Sequence, residues 1–430
     1  MQAKKNILYL SYDGLTDPLG QSQILPYVEG LSGIGYAFTI ISFEKPDRYK
    51  SQRASIEVRC AAQGIQWVPL TYTKRPPVLS TLYDVNKLHR KAEDLMLENA
   101  FDLIHCRSYI TSLAALRIKK KWGIPFIFDM RGFWADERVD GGIWNLKNPI
   151  YRLIYRYFKR KEKAFLQQAS AVVSLTHAGK LEMESWLESR NQNNRKIDYY
   201  NFDSVLALRR KTAVIPCATD LSLFTPAAIS KNKKKWLAAV HGIDLAAPYL
   251  GYVGSLGTWY LPEEMLNFYA ALLKAHPKLK FLLLTHDDPS TFYHYAASKG
   301  ISPSQIVHIA AKRSEVPVLM SMMDTAVFYI KPAYSKIASS PTKQGELMAM
   351  GVPVFCNAGV GDTAAIIEKY EAGSATEDFS IPSVQVQVRN YPNLQKLDRA
   401  KIRNGAETYF SLEKAVESYR ALYEQITQLK

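Results

Sequence analysis

The sequence is short of cysteine, of long apolar runs and of acid. Its four cysteines, Cys60, Cys106, Cys217 and Cys356, stand far apart with no CxxC pair. That excludes a disulfide framework and the usual cysteine-zinc spacing, and it fits a reducing compartment. No stretch approaches the roughly 18 apolar residues that span a bilayer, and the opening MQAKKNILYLSYDG has too short an apolar run for a secretory signal. The expected location is the cytoplasm, free or peripheral at the inner face of a membrane. Acid is scarce where base is dense: residues 1–213 hold 33 Lys and Arg against 21 Asp and Glu, a net +12 of the total +15. The first half therefore meets an acidic partner, which leaves nucleic acid, anionic lipid or a phosphate-bearing substrate. Its basic residues lack the interleaved aromatic platform of a nucleic-acid module, so no nucleic acid is expected.

What is present is enough apolar sequence for two large cores. With 430 residues, 47% of them hydrophobic, the chain is too long for one ordinary domain. Short apolar runs at NILYLSY (6–12), DLIHC (102–106), PFIFDM (125–130) and SAVVSLT (170–176), with helical patterns between them, read as a parallel sheet opened by a βαβ unit. After AVIPCATDLSLFTP the pattern repeats at YLGYVGS, LKFLLLTH, IVHIAA, TAVFYI and VPVFCN. The fold class expected is α/β with two Rossmann-like parallel sheets: residues 1–213, a linker at 214–226 and residues 227–410, with a closing helix over about 411–430 that returns to the first domain. Ligands of such sheets sit beyond the carboxyl ends of the strands, here in a cleft between domains, which directs attention to residues just after strands.

After the first strand, YDGLTDPLGQSQ supplies Asp17, Gly20 and Gln21 as a first-loop candidate without the GxGxxG spacing of a dinucleotide site; glycines there also serve as plain turn residues. IHCRSY and FDMRGFWADERVDGG hold His105, Asp129, Arg131, Trp134, Asp136 and Glu137. So many ionisable groups at strand ends suit acid/base work or a polyhydroxylated substrate, or else an ion-pair network that fixes a loop. In YVGSLGTWYLPEEM, Gly254, Ser255 and Gly257 offer bare backbone to a phosphate or sugar, or form a tight turn. Arg152, Arg156, Lys159, Arg160 and Lys163 form one helical stripe opposite apolar residues, the pattern of a membrane-surface helix or of a solvated face. In SSPTKQGELMAMGVPV, Ser340 reads as a cap and Pro341 as the first helical position, which puts Lys343 in the first turn, where a cation opposes the helix dipole. An anion sharing the site makes that lysine tolerable.

The order of IPCATDLSLFTP, YVGSLGTWY and SSPTKQGELMAMGVPVFCNAGVGD resembles the retaining glycosyltransferases of family four, with the GT-B fold. The resemblance implies metal-independent transfer of a hexose-type sugar, with no cofactor, from a nucleoside diphosphate sugar bound by the second domain. The acceptor, a glycan or lipid-linked molecule of surface polysaccharide or glycoconjugate assembly, would be held by the first. Family members carry two glutamates separated by seven residues; Glu346 matches the second, which accepts from the ribose hydroxyls, while the first falls at Ala338. The Arg and Lys that clamp the diphosphate are missing from GSLGTWYLPEE, leaving Lys331, Lys336 and Lys343, with Ser339, Ser340 and Thr342, as donor-side candidates. The family's acceptor-side histidine is matched to His105. A nucleotide-sugar epimerase and a non-catalytic partner subunit of a glycan-assembly complex are the rival readings.

Overall fold

The structure, a computed structural model, describes residues 4–76, 78–188 and 206–428, and the chain divides into two units, Met1–Pro216 with Leu412–Lys430 and Cys217–Ser411. In the first unit, β1 (Lys5–Ser11) leads through α1 (Pro18–Gln23) and α2 (Leu25–Gly33) to β2 (Tyr36–Glu44), and α3 (Pro46–Ala62) leads to β3 (Gln66–Thr71). Next come α4 (Leu79–Glu98), β4 (Leu103–Arg107), α5 (Ser108–Trp122), β5 (Phe126–Asp129), α6 (Trp134–Asp140) and α7 (Pro149–Gln168). The unit continues with β6 (Ala171–Ser174), α8 (His177–Glu188), α9 over residues 206–211 and β7 (Thr212–Val214). Its seven strands are all parallel, in the order β3-β2-β1-β4-β5-β6-β7.

The second unit runs α10 (Lys231–Val240), β8 (Tyr249–Val253), α11 (Pro262–Ala275), β9 (Lys280–Leu284), α12 (Ser290–Ser298), β10 (Ile306–Ile309) and α13 (Val316–Met320). It continues with β11 (Thr325–Val327), α14 (Thr342–Ala349), β12 (Val354–Asn357), α15 (Thr363–Lys369), β13 (Gly373–Thr376), α16 (Ile381–Leu394) and α17 (Arg399–Tyr409). Its parallel order is β10-β9-β8-β11-β12-β13. Helices cover both faces of such sheets, which is why central strands read as continuous apolar runs: β1 is buried from Ile7 to Ser11 and β8 throughout.

The closing helix α18 (Leu412–Gln428) returns to the first unit and packs on α2 and β4, burying Ala415, Val416, Tyr419, Leu422, Tyr423 and Ile426 at helical spacing; residues 429 and 430 of the expected span lie outside the described residues. One expectation is corrected at α14. The helix begins at Thr342 with Pro341 in the capping position, and Ser340 does not cap it, because the Ser340 hydroxyl accepts the Cys217 N–H at 3.2 Å. Lys343 remains in the first turn.

Candidate functional site

Each sheet reverses its strand order once. β8 lies between β9 and β11, and β1 lies between β2 and β4, so the loops after β8 and β1 stand where doubly wound sheets open their ligand crevices.

After β8, Gly254 has φ +115°, a backbone conformation that side chains disfavour, and a Cβ there would meet Lys343 Nζ at 3.0 Å. The Lys343 ammonium donates to Tyr252 Oη at 2.9 Å and lies 4.2 and 3.6 Å from the ring centres of Tyr252 and Tyr260. Tyr252 donates in turn to the Ser255 carbonyl, so α14, β8 and the glycine loop are joined through one phenol. Lys343 is only 5% exposed, and burial pulls its pKa well below the ordinary lysine value against the opposing fields of Glu346 and Asp287. One turn on, Glu346 is 7% exposed, and its Oε1 lies 2.7 Å from Arg313 Nη2. Burial raises its pKa, with Arg313 and Lys343 opposing. Both side chains are therefore pushed towards neutrality in the ligand-free protein. An anion beside the amine and hydroxyl donors beside the carboxylate would reverse both shifts.

The remaining donor-side candidates surround this core. Ser255 Oγ and the Leu256 N–H both donate to Asp287 Oδ2, at 2.6 and 2.7 Å, and the Gly257 N–H donates to Ser255 Oγ at 3.1 Å. Lys336 is buried with its ammonium 3.6 Å from the Trp259 ring centre, and its carbonyl accepts from the Ser339 and Gly361 amides. Thr342 opens α14, while Lys331 is exposed. Sequence reasoning missed Arg313 and Asp287. Both follow strands, β10 and β9, so the same rule that selected the other residues had marked their positions.

In the first unit the β1 loop closes on the protein's own carboxylate. Glu44, 2% exposed at the end of β2, accepts from the amides of Leu15 and Thr16 at 2.8 and 3.1 Å and from the Ser42 hydroxyl at 2.6 Å. Gly20 is there for close packing, since a Cβ would stand 2.1 Å from the Gly14 carbonyl oxygen. Gln21 donates to the Thr16 carbonyl at 3.2 Å, and Asp17 pairs with Lys45 at 2.8 Å and Arg48 at 3.3 Å.

His105 and Asp129 lie inside the packing, 2% and 1% exposed. His105 Nδ1 is 2.6 Å from the Tyr423 hydroxyl and Nε2 is 3.4 Å from Asp129 Oδ2, which also accepts from Tyr419 at 3.1 Å. Burial lowers the His105 pKa, and Asp129 is held below its ordinary value because Arg131, His105 and Arg107 together outweigh burial. These side chains anchor α18. Arg131, at φ +56°, has Nη1 3.9 Å from Asp129 Oδ1 and Nη2 3.4 Å from Gln23 Oε1. Arg107 reaches Asp13 at 3.3 Å and the Gln23 carbonyl at 3.1 Å.

Trp134 and Asp136 turn towards α7. Trp134 packs with Phe158 and Trp144 at ring distances of 4.8 and 5.4 Å, and Asp136 accepts from Tyr155 at 2.7 Å and Lys159 at 2.9 Å. Glu137 is half-buried in the first turn of α6. Lys159 also lies 2.6 Å from the buried Glu162, which removes it from the expected stripe, while Arg152, Arg156 and Arg160 remain exposed. Among the described residues no group of three or more His, Cys, Asp or Glu is placed to hold a metal ion, and no helix is long and apolar enough to cross a membrane.

Comparison with known proteins agrees with this fold. The family described as Glycosyltransferase Family 4 matches residues 23–193 and that described as Glycosyl transferases group 1 matches residues 233–408. A D-inositol 3-phosphate glycosyltransferase of Salinispora arenicola (strain CNS-205) is 22% identical over 349 residues, 77% of this chain and 70% of that protein. Among solved structures, sucrose-phosphate synthase from Thermosynechococcus elongatus is similar with a TM-score of 0.71 at 15% identity, covering 99% of this chain and 100% of that one. Anabaena HepE in complex with UDP and glucose is similar with a TM-score of 0.65 at 12% identity, covering 96% and 98%. The two family matches fall in turn on the two parallel-sheet units and together span well over half of the sequence, and the chain belongs to the GT-B glycosyltransferases.

Proposed function

We propose that the protein is a retaining, metal-independent hexosyltransferase that uses a nucleoside diphosphate sugar. The observation that carries this reading is the group formed by Gly254, Lys343 and Glu346 at the β8 switch point: bare backbone, a buried amine and a buried carboxylate beyond the strand ends. The diphosphate lies by Gly254 and the Lys343 ammonium, and Glu346 Oε2 accepts from the ribose hydroxyls while Arg313 holds Oε1. As the sugar's bond to the diphosphate breaks and its bond to the acceptor oxygen forms, the acceptor hydroxyl's proton passes to the leaving diphosphate oxygen, and Lys343 stabilises the negative charge that grows on that diphosphate. Lys343, absent from the usual clamp position, thereby replaces the missing Arg and Lys pair.

The acceptor is a glycan or lipid-linked molecule of surface-glycan assembly, held by the first unit near Arg107, Arg131 and Asp13 at the strand ends, and the protein works in the cytoplasm at the membrane surface. Support for the membrane comes from the net +12 of residues 1–213 and the exposed arginines of α7. The deciding experiment is calorimetric titration with nucleoside diphosphates and their sugars, followed by product analysis with the best donor. Binding of a nucleoside diphosphate that Glu346→Ala weakens, with transfer that survives EDTA and yields a retained anomer, is the expected result. Inversion, metal-restorable loss in chelator, or no binding by any nucleotide would overturn the corresponding part.

A further inference from the structure

Helices α4, α5 and α7 lie side by side on one face of the first sheet. Between α4 and α7, over α5, is a groove of about 630 Å3. Its floor is apolar, built from Leu82 and Val85 of α4, Leu113 and Leu116 of α5, and Tyr157 and Ala164 of α7. Its rim is cationic, with Arg117, Lys119, Lys120 and Lys161, and among the described residues no carboxylate lines it. Neighbouring acids are engaged elsewhere: Asp84 is buried and accepts from Tyr12 and Thr73, Glu93 pairs with Lys121 at 2.6 Å, and Glu162 pairs with Lys159. Among the described residues two rim cations meet neutral groups and no carboxylate, Arg117 the Asn86 side-chain oxygen at 3.2 Å and Lys119 the Gln168 carbonyl at 2.5 Å and the Phe126 ring centre at 5.9 Å, so their charge is not paired with an acid.

The flanks extend this character. Leu79, Leu82 and Tyr83 at the start of α4 are 64, 52 and 59% exposed, and Ile150, Leu153 and Tyr157 in the first half of α7 are 62, 69 and 42% exposed. Large apolar side chains on two neighbouring helices, with a basic rim beside them, match a bilayer interface better than bulk water. A free sugar brings no apolar surface for the floor, and inorganic phosphate leaves the floor uncovered.

We infer that this groove binds an anionic membrane lipid, its head group against Arg117, Lys120 and Lys161 and an acyl chain along Leu82 and Leu116. The apolar ends of α4 and α7 then enter the interface and hold the first unit on the bilayer. This deepens the membrane-surface reading proposed above and is independent of the nucleotide site, which belongs to the other unit.

The test uses the full chain. Vesicles of phosphatidylglycerol and phosphatidylcholine should sediment the protein, and pure phosphatidylcholine should not. Below its micelle concentration, dodecyl phosphate should bind at least about tenfold more tightly than inorganic phosphate, because only the former covers apolar surface. Lys120→Glu with Lys161→Glu should lower both vesicle and dodecyl phosphate binding by about tenfold or more. Leu82→Asn should lower dodecyl phosphate binding and leave inorganic phosphate unchanged, while Arg152→Glu with Arg156→Glu should leave dodecyl phosphate binding unchanged. Thermal unfolding and nucleoside diphosphate titration on every variant separate this proposal from the donor-site reading. Equal binding of the two phosphates, or vesicle binding that survives the groove reversal, would overturn the inference.

Discussion

The loops after β1 and β8 occupy the same topological place in their two sheets and are filled in opposite ways. In the first unit the amides of Leu15 and Thr16 are taken by Glu44, a buried carboxylate delivered from the next strand. In the second, the carboxylate that touches the loop, Asp287, is exposed, and the buried group is an amine, Lys343, whose pKa burial lowers. A loop already satisfied by an internal anion has no use for a phosphate, whereas a loop beside a desolvated amine gains when an anion arrives. Equivalent positions in two similar folds thus carry one loop closed by an internal carboxylate and one loop beside a buried amine, and the donor site proposed above rests on the second.

The strongest way to break this contrast is to remove the internal anion. Glu44→Ala strands two backbone amides and the Thr16 and Ser42 hydroxyls, and at about 1–3 kcal/mol for each buried unsatisfied donor the first unit should lose more than about 3 kcal/mol, read as lowered thermal stability. Nucleoside diphosphate binding by the folded fraction should be unaltered. Equal stability would mean that water replaces Glu44 and that the two loops are alike in tolerating an empty anion position. Next in size, Glu346→Ala should weaken nucleoside diphosphate binding by about 1.5–3 kcal/mol, the range for a hydrogen bond to a charged group. Titration with unchanged affinity would remove the ribose role.

Lys343→Met sharpens the comparison, because it keeps the volume and removes the charge. Binding should weaken by about 1.5–3 kcal/mol while the empty protein is no less stable, since a buried amine has been replaced by an apolar group. A destabilised variant that binds normally would make Lys343 a structural prop for Tyr252. The pH dependence carries a definite sign. In the empty protein the Lys343 pKa is depressed, so the unfolded chain holds its proton to higher pH; stability is reduced at low pH and recovers as pH rises through the folded value. Anion binding raises that pKa again, so binding takes up a proton and affinity falls as pH rises through the same window. Lys343→Met should flatten both curves, which titration in buffers of different ionisation enthalpy will show. The smallest effect expected is for Asp287→Asn, which should tighten diphosphate binding by at most about 1 kcal/mol, because a screened, exposed charge is removed while a hydrogen-bonding oxygen stays. Weaker binding instead would assign Asp287 to holding the loop in its receptive shape.

The central strands were legible because both faces are buried and their residues are apolar throughout. Three of the four edge strands were not: β3, β7 and β13 went unread, since an edge is only half covered and tolerates Pro69 in β3 and the Gly373–Thr376 stretch in β13, while the edge strand β10 was read from its apolar IVHI run. Spacing revealed that Lys343 and Glu346 share a face but not that Tyr252 and Tyr260 wall in the amine, a contact between elements about 90 residues apart. Lys159 shows the same limit. Its spacing placed it in a basic stripe, and two carboxylates, Asp136 from α6 and Glu162 one turn on, turn it inward. Periodicity fixes which face a side chain starts from, and partners from other elements decide where a long one ends.

The return of α18 has a consequence in time. The ribosome makes residues 217–411 before residues 412–428, so the second unit has its whole sequence while the first still lacks a helix. Until α18 docks, His105 and Asp129 have neither the Tyr423 nor the Tyr419 hydroxyl, and the apolar surface of α2 beneath it stays uncovered. The unit synthesised first is therefore the unit completed last, and a chain stopped just before α18 would carry a complete second unit and an open, adhesive first one.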